Sequence, residues 1–288
     1  MITLVRFLQI FFKIVFHAPP AIALSIMYFA GWLTYSIARK TSLKRTIADN
    51  VKLIMPKKNA EQIADQLLKN VSYAIFELLC LPYFNNKHFK TIFRFEGLDN
   101  LNNALTEKKG AILLTLHAGN YETIPSALAN LGYKIASILR ATNDPIFKIL
   151  NECRSQKGVR IINVSEQNMY TEAIEVLNDN GVIGTLADTG ALEGRHVFMK
   201  FLGRDVPAAT GWLTLAQRSG AMVVPTLTRK QGRKNIIILH EPFTVTKDNR
   251  EEVMQKVKNI LEGFVRDNPD QWGIFLNSYE TQRMVKGG

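Results

Sequence analysis

The chain begins with its most apolar stretch. Met1–Phe16 is interrupted by few polar residues, and after Pro19 and Pro20 an uncharged run extends from Ala21 to Ala38. As a helix, this run measures roughly 27 Å, which is close to the hydrocarbon thickness of a bilayer. The pattern predicts a membrane-anchoring segment over residues 1–40, which either spans the bilayer as a transmembrane helix or lies in its interface. Residues 41–288 then form the main domain.

The charges around the apolar run predict its orientation. No acidic residue precedes Asp49, whereas Arg39, Lys40, Lys44 and Arg45 follow the run directly. Positive residues concentrate on the cytoplasmic side of membrane proteins, so we expect the main domain in the cytoplasm. A cleaved signal peptide fits poorly, because it has a shorter apolar core with a small-residue cleavage site.

Beyond the anchor, residues 41–58 have the polar and basic pattern of a connector. A helix then begins at Asn59, which is an N-cap residue with Gln62 at the third helical position. Apolar residues recur at helical spacing after it: Ile63, Leu67, Leu68, Val71, Ala74, Ile75, Leu78 and Leu79.

From residue 90 onward, short apolar runs alternate with helical patterns. The predicted strands are Thr91–Phe95, Ala111–Leu116, Lys134–Leu139, Val159–Ile162, Val182–Ala187, Val223–Leu227 and Ile236–Leu239. The predicted helices are Tyr121–Leu131, Ile146–Gln156, Gln167–Asp179, Gly211–Ser219 and Glu251–Arg266. This alternation predicts an α/β fold with a mostly parallel central sheet flanked by helices. Residues 188–210 are the exception, a long connection that we expect to be functional.

Composition narrows the classes of partner. The chain is 47% hydrophobic and carries a net charge of +11, which favours an anionic bilayer surface, an acidic carrier protein or nucleic acid. Nucleic acid is disfavoured, because the sequence has no phosphate-binding glycine loop, zinc spacing or basic-aromatic patch. Cys80 and Cys153 indicate neither a disulfide framework nor a metal site.

The candidate chemistry lies at the end of a predicted strand. The run Ala111–Leu116 is followed by His117, a turn containing Gly119, and Glu122. Five histidines and 25 acidic residues among 288 give about 0.4 such spacings by chance, so the position carries the prediction rather than the spacing. Ligands bind at the carboxyl ends of strands in open α/β sheets. We therefore expect His117 to act as a general base on a substrate hydroxyl, with Glu122 orienting its imidazole.

The segment His117–Glu122 resembles the HxxxxE motif of the late lipid A acyltransferases, the lauroyl and myristoyl transferases within the lysophospholipid acyltransferase superfamily. Further blocks resemble this family in the same order, over nearly the whole chain. They are Arg140–Pro145 with Arg154 and Gly158, Asp188–Gly190 with Val197–Gly203 and Pro207–Gly211, Ser219–Pro225, and Asn268–Trp272.

The resemblance implies a glycerolipid acyltransferase-like fold and direct acyl transfer to a hydroxyl of lipid A or its precursor. The donor would be an acyl-carrier-protein or coenzyme A thioester, and no further cofactor or metal is implied. Arg140 would contact a phosphate or an oxyanion, Asp188 would be a second polar site residue, and Asn120 would hydrogen-bond substrate from the turn. Arg195, with Lys200 and Arg204, would contact phosphates. The implied location is the inner membrane, in lipopolysaccharide biosynthesis.

Two departures leave the acceptor open. Gly273–Glu280 contains no histidine or arginine where many family members have an aromatic-His-Arg-Arg-aromatic stretch, and Ala187–Thr189 stands where Asp-Gln-Asp is frequent. Another glycolipid or a lysophospholipid is therefore an alternative acceptor. A membrane lipid-binding protein without catalytic activity is the alternative from another class.

Overall fold

The computed structural model describes residues 2–139, 144–188 and 196–286. Its strands are β1 (Phe93–Glu96), β2 (Ala111–Thr115), β3 (Ile135–Leu139), β4 (Arg160–Asn163), β5 (Val182–Leu186), β6 (His196–Phe201), β7 (Arg204–Ala209), β8 (Met222–Gln231) and β9 (Lys234–Leu239). Seven of them form a sheet in the order β1-β9-β8-β2-β5-β3-β4. Neighbouring strands in it are parallel, except for the antiparallel pair β8 and β9.

Helices precede and alternate with these strands. They are α1 (Ile2–Val15), α2 (Pro20–Ala38), α3 (Ser42–Ile54), α4 (Ala60–Cys80), α5 (Asn86–Ile92), α6 (Leu98–Thr106), α7 (Ile124–Ala129), α8 (Pro145–Arg154), α9 (Met169–Asn178), α10 (Gly211–Ser219), α11 (Arg250–Asp267) and α12 (Ser278–Lys286). The N-cap of α4 is as predicted, since the Asn59 side chain accepts from the Gln62 N–H.

Helices cover both faces of the sheet because its central strands are apolar on both faces. Every residue of β2 is buried, and successive side chains point to opposite sides of a strand. Ile112 and Leu114 join a core with α3, α4, α9, α10 and α11. Ala111 and Leu113 join a second core with α1, α2, α5, α6 and α7. The predicted α/β class, with a mostly parallel sheet between helices, is confirmed.

The helix α2 lies along α4 with one face inward. Its inward positions include Met27, Tyr28 and Tyr35, whereas Phe29 and Trp32 on the opposite face are exposed. Among the described residues, α2 is the helix with the length and apolarity to cross a bilayer, and 33% of its most apolar part is buried in the protein. The predicted apolar helix is therefore present and packs on the main domain.

Two predictions about connections are wrong. Residues 41–58 are not a connector, because α3 buries Ile47, Val51 and Ile54 on one helical face while its charged residues stay outside. Within residues 188–210, β6 and β7 form an antiparallel hairpin. Its turn, Leu202 and Gly203, has φ values of 52° and 79°, which suit the tight turns that join antiparallel strands.

Candidate active site

The register of two parallel strands brings His117 and Asp188 together. Thr115 at the end of β2 lies opposite Leu186 at the end of β5, so the residues two positions beyond each strand face each other. His117 Nδ1 lies 2.8 Å from Asp188 Oδ1, and the His117 backbone N–H donates to Asp188 Oδ2 at 3.0 Å. Asp188 thus fixes both the ring and the backbone of the histidine.

A third donor completes the environment of Asp188. Trp272, which is fully buried, donates from Nε1 to Asp188 Oδ2 at 2.8 Å. The Asp188 side chain is only 2% exposed. Burial by itself would raise the pKa of Asp188, but the neighbouring His117 and the N–H donors outweigh it and hold that pKa below its ordinary value. Asp188 is therefore an ionised acceptor.

One nitrogen of the His117 imidazole, Nε2, has no bonding partner among the residues that the structure describes. Burial opposes its charged form, but the Asp188 carboxylate, with smaller effects of Glu122 and Glu280, raises the pKa of His117 above its ordinary value. An ionised carboxylate can only accept hydrogen bonds, so Nδ1 carries the proton and Nε2 presents its lone pair. The His117 side chain is 26% exposed. This arrangement can accept a proton at Nε2 and stabilise the imidazolium.

The turn that follows His117 is clamped by the segment before α12. The Gly119 N–H donates to the Gln271 carbonyl at 2.8 Å, and the Gly273 N–H donates to the His117 carbonyl at 2.6 Å. Gly119 has a φ of 57°, and a Cβ there would lie 2.4 Å from the Thr228 carbonyl oxygen. Only glycine fits this position without moving the backbone.

Glu122 does not orient the imidazole, so that part of the prediction is wrong. Its carboxylate forms a two-point ion pair with Arg154 of α8, with Nε to Oε2 at 2.6 Å and Nη2 to Oε1 at 2.5 Å. The reason is local, because Tyr121–Thr123 forms a short 3₁₀ helix and Asp188 already occupies Nδ1 of His117. The spacing in the sequence brings the two residues near each other without pairing them.

Asn120 is also placed differently from the prediction. It is 2% exposed, and its Nδ2 donates to Glu77 Oε2 of α4 at 2.7 Å. Its side chain therefore points into the protein rather than towards a substrate. Arg204 is engaged as well, since its Nη2 donates to the Leu53 carbonyl at 2.7 Å.

An apolar cavity lies one side chain away from His117. It has a volume of about 50 Å³ between β2, β3, β5 and α7, and the pair of Glu122 and Arg154 forms part of its wall. Tyr121 lines the cavity and contacts the His117 ring edge-on, with ring centroids 5.0 Å apart. Ser137 in the wall has a buried hydroxyl without a partner among the described residues. The remaining wall is mainly aliphatic, which suits a few carbons of a hydrocarbon.

Comparison with known proteins decides the family. The sequence matches the model of the bacterial lipid A biosynthesis acyltransferases over residues 2–281. The chain belongs to this family.

Two similar proteins accompany this match to the lipid A acyltransferase family. A lipid A biosynthesis acyltransferase of Haemophilus influenzae is 22% identical over 259 residues, which is 88% of this chain and 81% of that protein. The crystal structure of the 1-acyl-sn-glycerophosphate acyltransferase of Thermotoga maritima is 15% identical, with a TM-score of 0.38 over 78% of this chain and 95% of that one. The predicted family is confirmed by the family match.

Several site residues of this acyltransferase family member escaped the sequence analysis. Arg154 and Trp272 lie in blocks that resemble the family, but their contacts with Glu122 and Asp188 could not be read from the sequence. Glu77 has no motif around it at all. Arg140 and Arg195 lie outside the described residues, so their phosphate contacts stay predictions. Among the described residues, no group of three or more metal-ligating side chains occurs.

Proposed function

We propose that this chain is a membrane-bound acyltransferase that moves a fatty acyl chain from a thioester donor to a hydroxyl of lipid A or its precursor. The observation that carries the proposal is the dyad of His117 and Asp188, with Nε2 available at the carboxyl edge of the sheet beside an apolar cavity. Membership of the lipid A acyltransferase family supports the reaction class.

In the proposed reaction, His117 Nε2 removes the proton of the acceptor hydroxyl as its oxygen attacks the thioester carbonyl. A carbon–oxygen bond forms and the carbon–sulfur bond breaks. The imidazolium, which the Asp188 carboxylate stabilises, then returns its proton to the departing thiolate of the carrier protein or coenzyme A. Asp188 therefore takes the orienting role that we first expected of Glu122.

The cavity is the proposed place for the first few carbons of the acyl chain, because its volume of about 50 Å³ holds no more than that. Its aliphatic wall excludes water from the hydrocarbon, and Tyr121 lies between it and His117. Glu122 is then a positioning residue, whose carboxylate holds the Arg154 guanidinium at the cavity wall. Because the Glu122 carboxylate balances the charge of Arg154, this ion pair shapes the cavity wall. Arg140 and Arg195 remain proposed phosphate contacts.

We propose that the outer surface of α1 and α2 contacts the membrane. Phe7 and Ile14 of α1 and Phe29 and Trp32 of α2 are exposed. Large apolar side chains that are exposed together in this way mark an interaction site. Because α2 packs along α4 on its other face, we propose that it lies in the interface rather than spanning alone. The basic residues after α2 favour the cytoplasmic side of the inner membrane and its anionic lipids.

One observation favours a second acceptor, another glycolipid or a lysophospholipid. In the segment that departs from the family pattern, Gly273–Glu280, Ile274 and Phe275 are buried, and the Gly273 N–H donates to the His117 carbonyl. Because residues 273–280 contain no arginine, lysine or histidine, this segment offers no basic side chain to the acceptor phosphates of lipid A.

A transfer assay with purified protein tests the reaction class. We expect His117→Ala to lower transfer of a labelled acyl group from acyl carrier protein to a lipid acceptor by at least ~10²-fold, the loss of a positioned general base. His240→Ala is the matched control, since His240 follows β9, two strands away from β2. A His117→Ala protein that transfers at the wild-type rate would refute the proposal. Lipid mass spectrometry of a deletion strain identifies the acceptor.

A further inference from the structure

A second buried carboxylate, Glu77 of α4, lies outside the dyad of His117 and Asp188. Its side chain is 0% exposed, and both of its oxygens are fully engaged. Oε1 accepts from Tyr28 Oη at 2.6 Å and from Lys230 Nζ. Oε2 accepts from Asn120 Nδ2 and Asn235 Nδ2, each at 2.7 Å. We call these five residues the Glu77 cluster.

The members of the Glu77 cluster come from separate parts of the chain. Tyr28 belongs to α2, Asn120 to the turn after β2, Lys230 to β8 and Asn235 to β9. A buried ion pair adds little net stability over apolar residues, but it tolerates few arrangements because each unmade bond is costly. What the cluster supplies is therefore one fixed position for these four elements.

The Glu77 cluster and the backbone carbonyl of Gln271 hold the turn after His117 from two sides. Asn120 lies between His117 and Glu122, and it is tied to Glu77. One residue earlier, the Gly119 N–H donates to the Gln271 carbonyl. The two supports are joined directly, since the Lys230 backbone N–H donates to Gln271 Oε1 at 2.8 Å.

At its other end, the cluster reaches the helix that carries the exposed apolar surface. Tyr28 lies on the inward face of α2, and its hydroxyl is also 2.7 Å from the Arg233 carbonyl. The adjacent outward residue, Phe29, is 61% exposed. A displacement of α2 on the domain would move Tyr28 and, through Glu77, the side chain of Asn120.

We propose that Glu77 is a positioning residue that couples the packing of α2 on the domain to the orientation of the turn that carries His117. This inference rests on the proposed acyl transfer, for which it names a residue that acts through the turn rather than on substrate. Its consequence is that transfer depends on how α2 is docked, even though α2 contributes no group to the dyad.

The helix α2 offers a matched pair of variants. Tyr28 and Tyr35 are both inward, and each donates its hydroxyl to a carboxylate at 2.6 Å, Tyr28 to Glu77 and Tyr35 to Asp65. Within the described part of the chain, Asp65 is not bonded to the turn, and its other partners are Lys44 and Arg39. Tyr28→Phe and Tyr35→Phe each remove a bond to a carboxylate from the same helix, and only the first touches the proposed coupling. Tyr28→Phe also removes the contact with the Arg233 carbonyl.

We expect Tyr28→Phe to lower kcat about five- to tenfold with KM within about twofold of wild type, because a bond to a charged group is lost. Amide hydrogen exchange in residues 117–123 should accelerate in the same variant. Tyr35→Phe should change neither quantity. Both are measured on the 288-residue chain in detergent. Equal effects of the two variants on either readout, or no effect of Tyr28→Phe on one of them, would overturn the inference.

A second pair separates the turn from the rest of the cluster. Asn120 and Asn235 donate to the same Glu77 oxygen at the same distance, but Asn235 lies on β9. Asn120→Ala should lower kcat more than Asn235→Ala at comparable losses of thermal stability, and equal losses of kcat would contradict the coupling. If the wild-type protein itself transfers no acyl group, the proposed function fails, and the exchange readout still decides whether Glu77 orders the turn.

Discussion

Two carboxylate–cation pairs support the same turn, and they differ in what they leave open. Asp188 holds His117 and raises the pKa of its imidazole, a partly exposed ring whose Nε2 has no partner among the described residues. Glu77 holds Lys230, and every acceptor position of its carboxylate is filled in a fully buried cluster. A buried carboxylate pair is suited to proton transfer only if its partner keeps an accessible nitrogen lone pair. A pair whose acceptor positions are all occupied fixes the geometry of the turn instead.

The largest expected effect concerns the pair of Asp188 and His117. We expect Asp188→Asn to lower kcat on the order of 10³-fold, because the amide neither stabilises the imidazolium nor enforces the tautomer with the Nδ1 proton. Transfer of labelled acyl groups by purified protein measures this. Asp65→Asn is the control, as Asp65 pairs with Tyr35 and Lys44 away from the dyad. A loss below about tenfold would remove Asp188 from the proposed mechanism.

The next largest effect concerns the pair of Glu77 and Lys230 and is a loss of folding stability. Glu77→Gln should cost about 3–5 kcal/mol of unfolding free energy, because it leaves the buried Lys230 ammonium without its counter-charge. Combining it with Lys230→Met should recover much of that loss. Chemical denaturation in mild detergent, followed by tryptophan fluorescence, compares the variants. If the single variant is as stable as the double, the buried charge pair is not what holds this region.

A smaller effect probes the third donor to Asp188. Trp272→Phe keeps an aromatic ring in the core but removes the Nε1 hydrogen bond, so kcat should fall about tenfold, as expected for a bond to a charged acceptor. Trp212→Phe is the matched control, because Trp212 is buried in α10 and has no bond to Asp188. Equal kcat values for the two variants would contradict this role of Trp272.

The sequence could predict the strands because the sheet residues are apolar in short, well-separated runs. It could not predict α3, since the basic residues there hide the helical spacing of Ile47, Val51 and Ile54. The hairpin of β6 and β7 was missed for a related reason: its turn places Leu202, an apolar residue, at a positive φ.

The candidate site divides in the same way between local and long-range information. His117 was predictable from its position after a buried strand. Asp188 was named as a site residue from the resemblance, but its pairing with His117 was not predicted, because it lies 71 residues away and only the register of β2 with β5 brings the two together. The role of Glu77 could not be predicted at all, because no motif surrounds it and its hydrogen bonds reach residues up to 158 positions away.

The central claim is that Asp188, rather than Glu122, sets the titration of the His117 base. The pH dependence of kcat/KM for wild type, Asp188→Asn and Glu122→Gln tests it most directly. Because the neutral imidazole is the active form and its pKa is raised, wild-type activity should increase with pH through an inflection above the ordinary histidine value. Asp188→Asn should move that inflection to lower pH, and Glu122→Gln should move it less. A larger shift in Glu122→Gln than in Asp188→Asn would contradict the account.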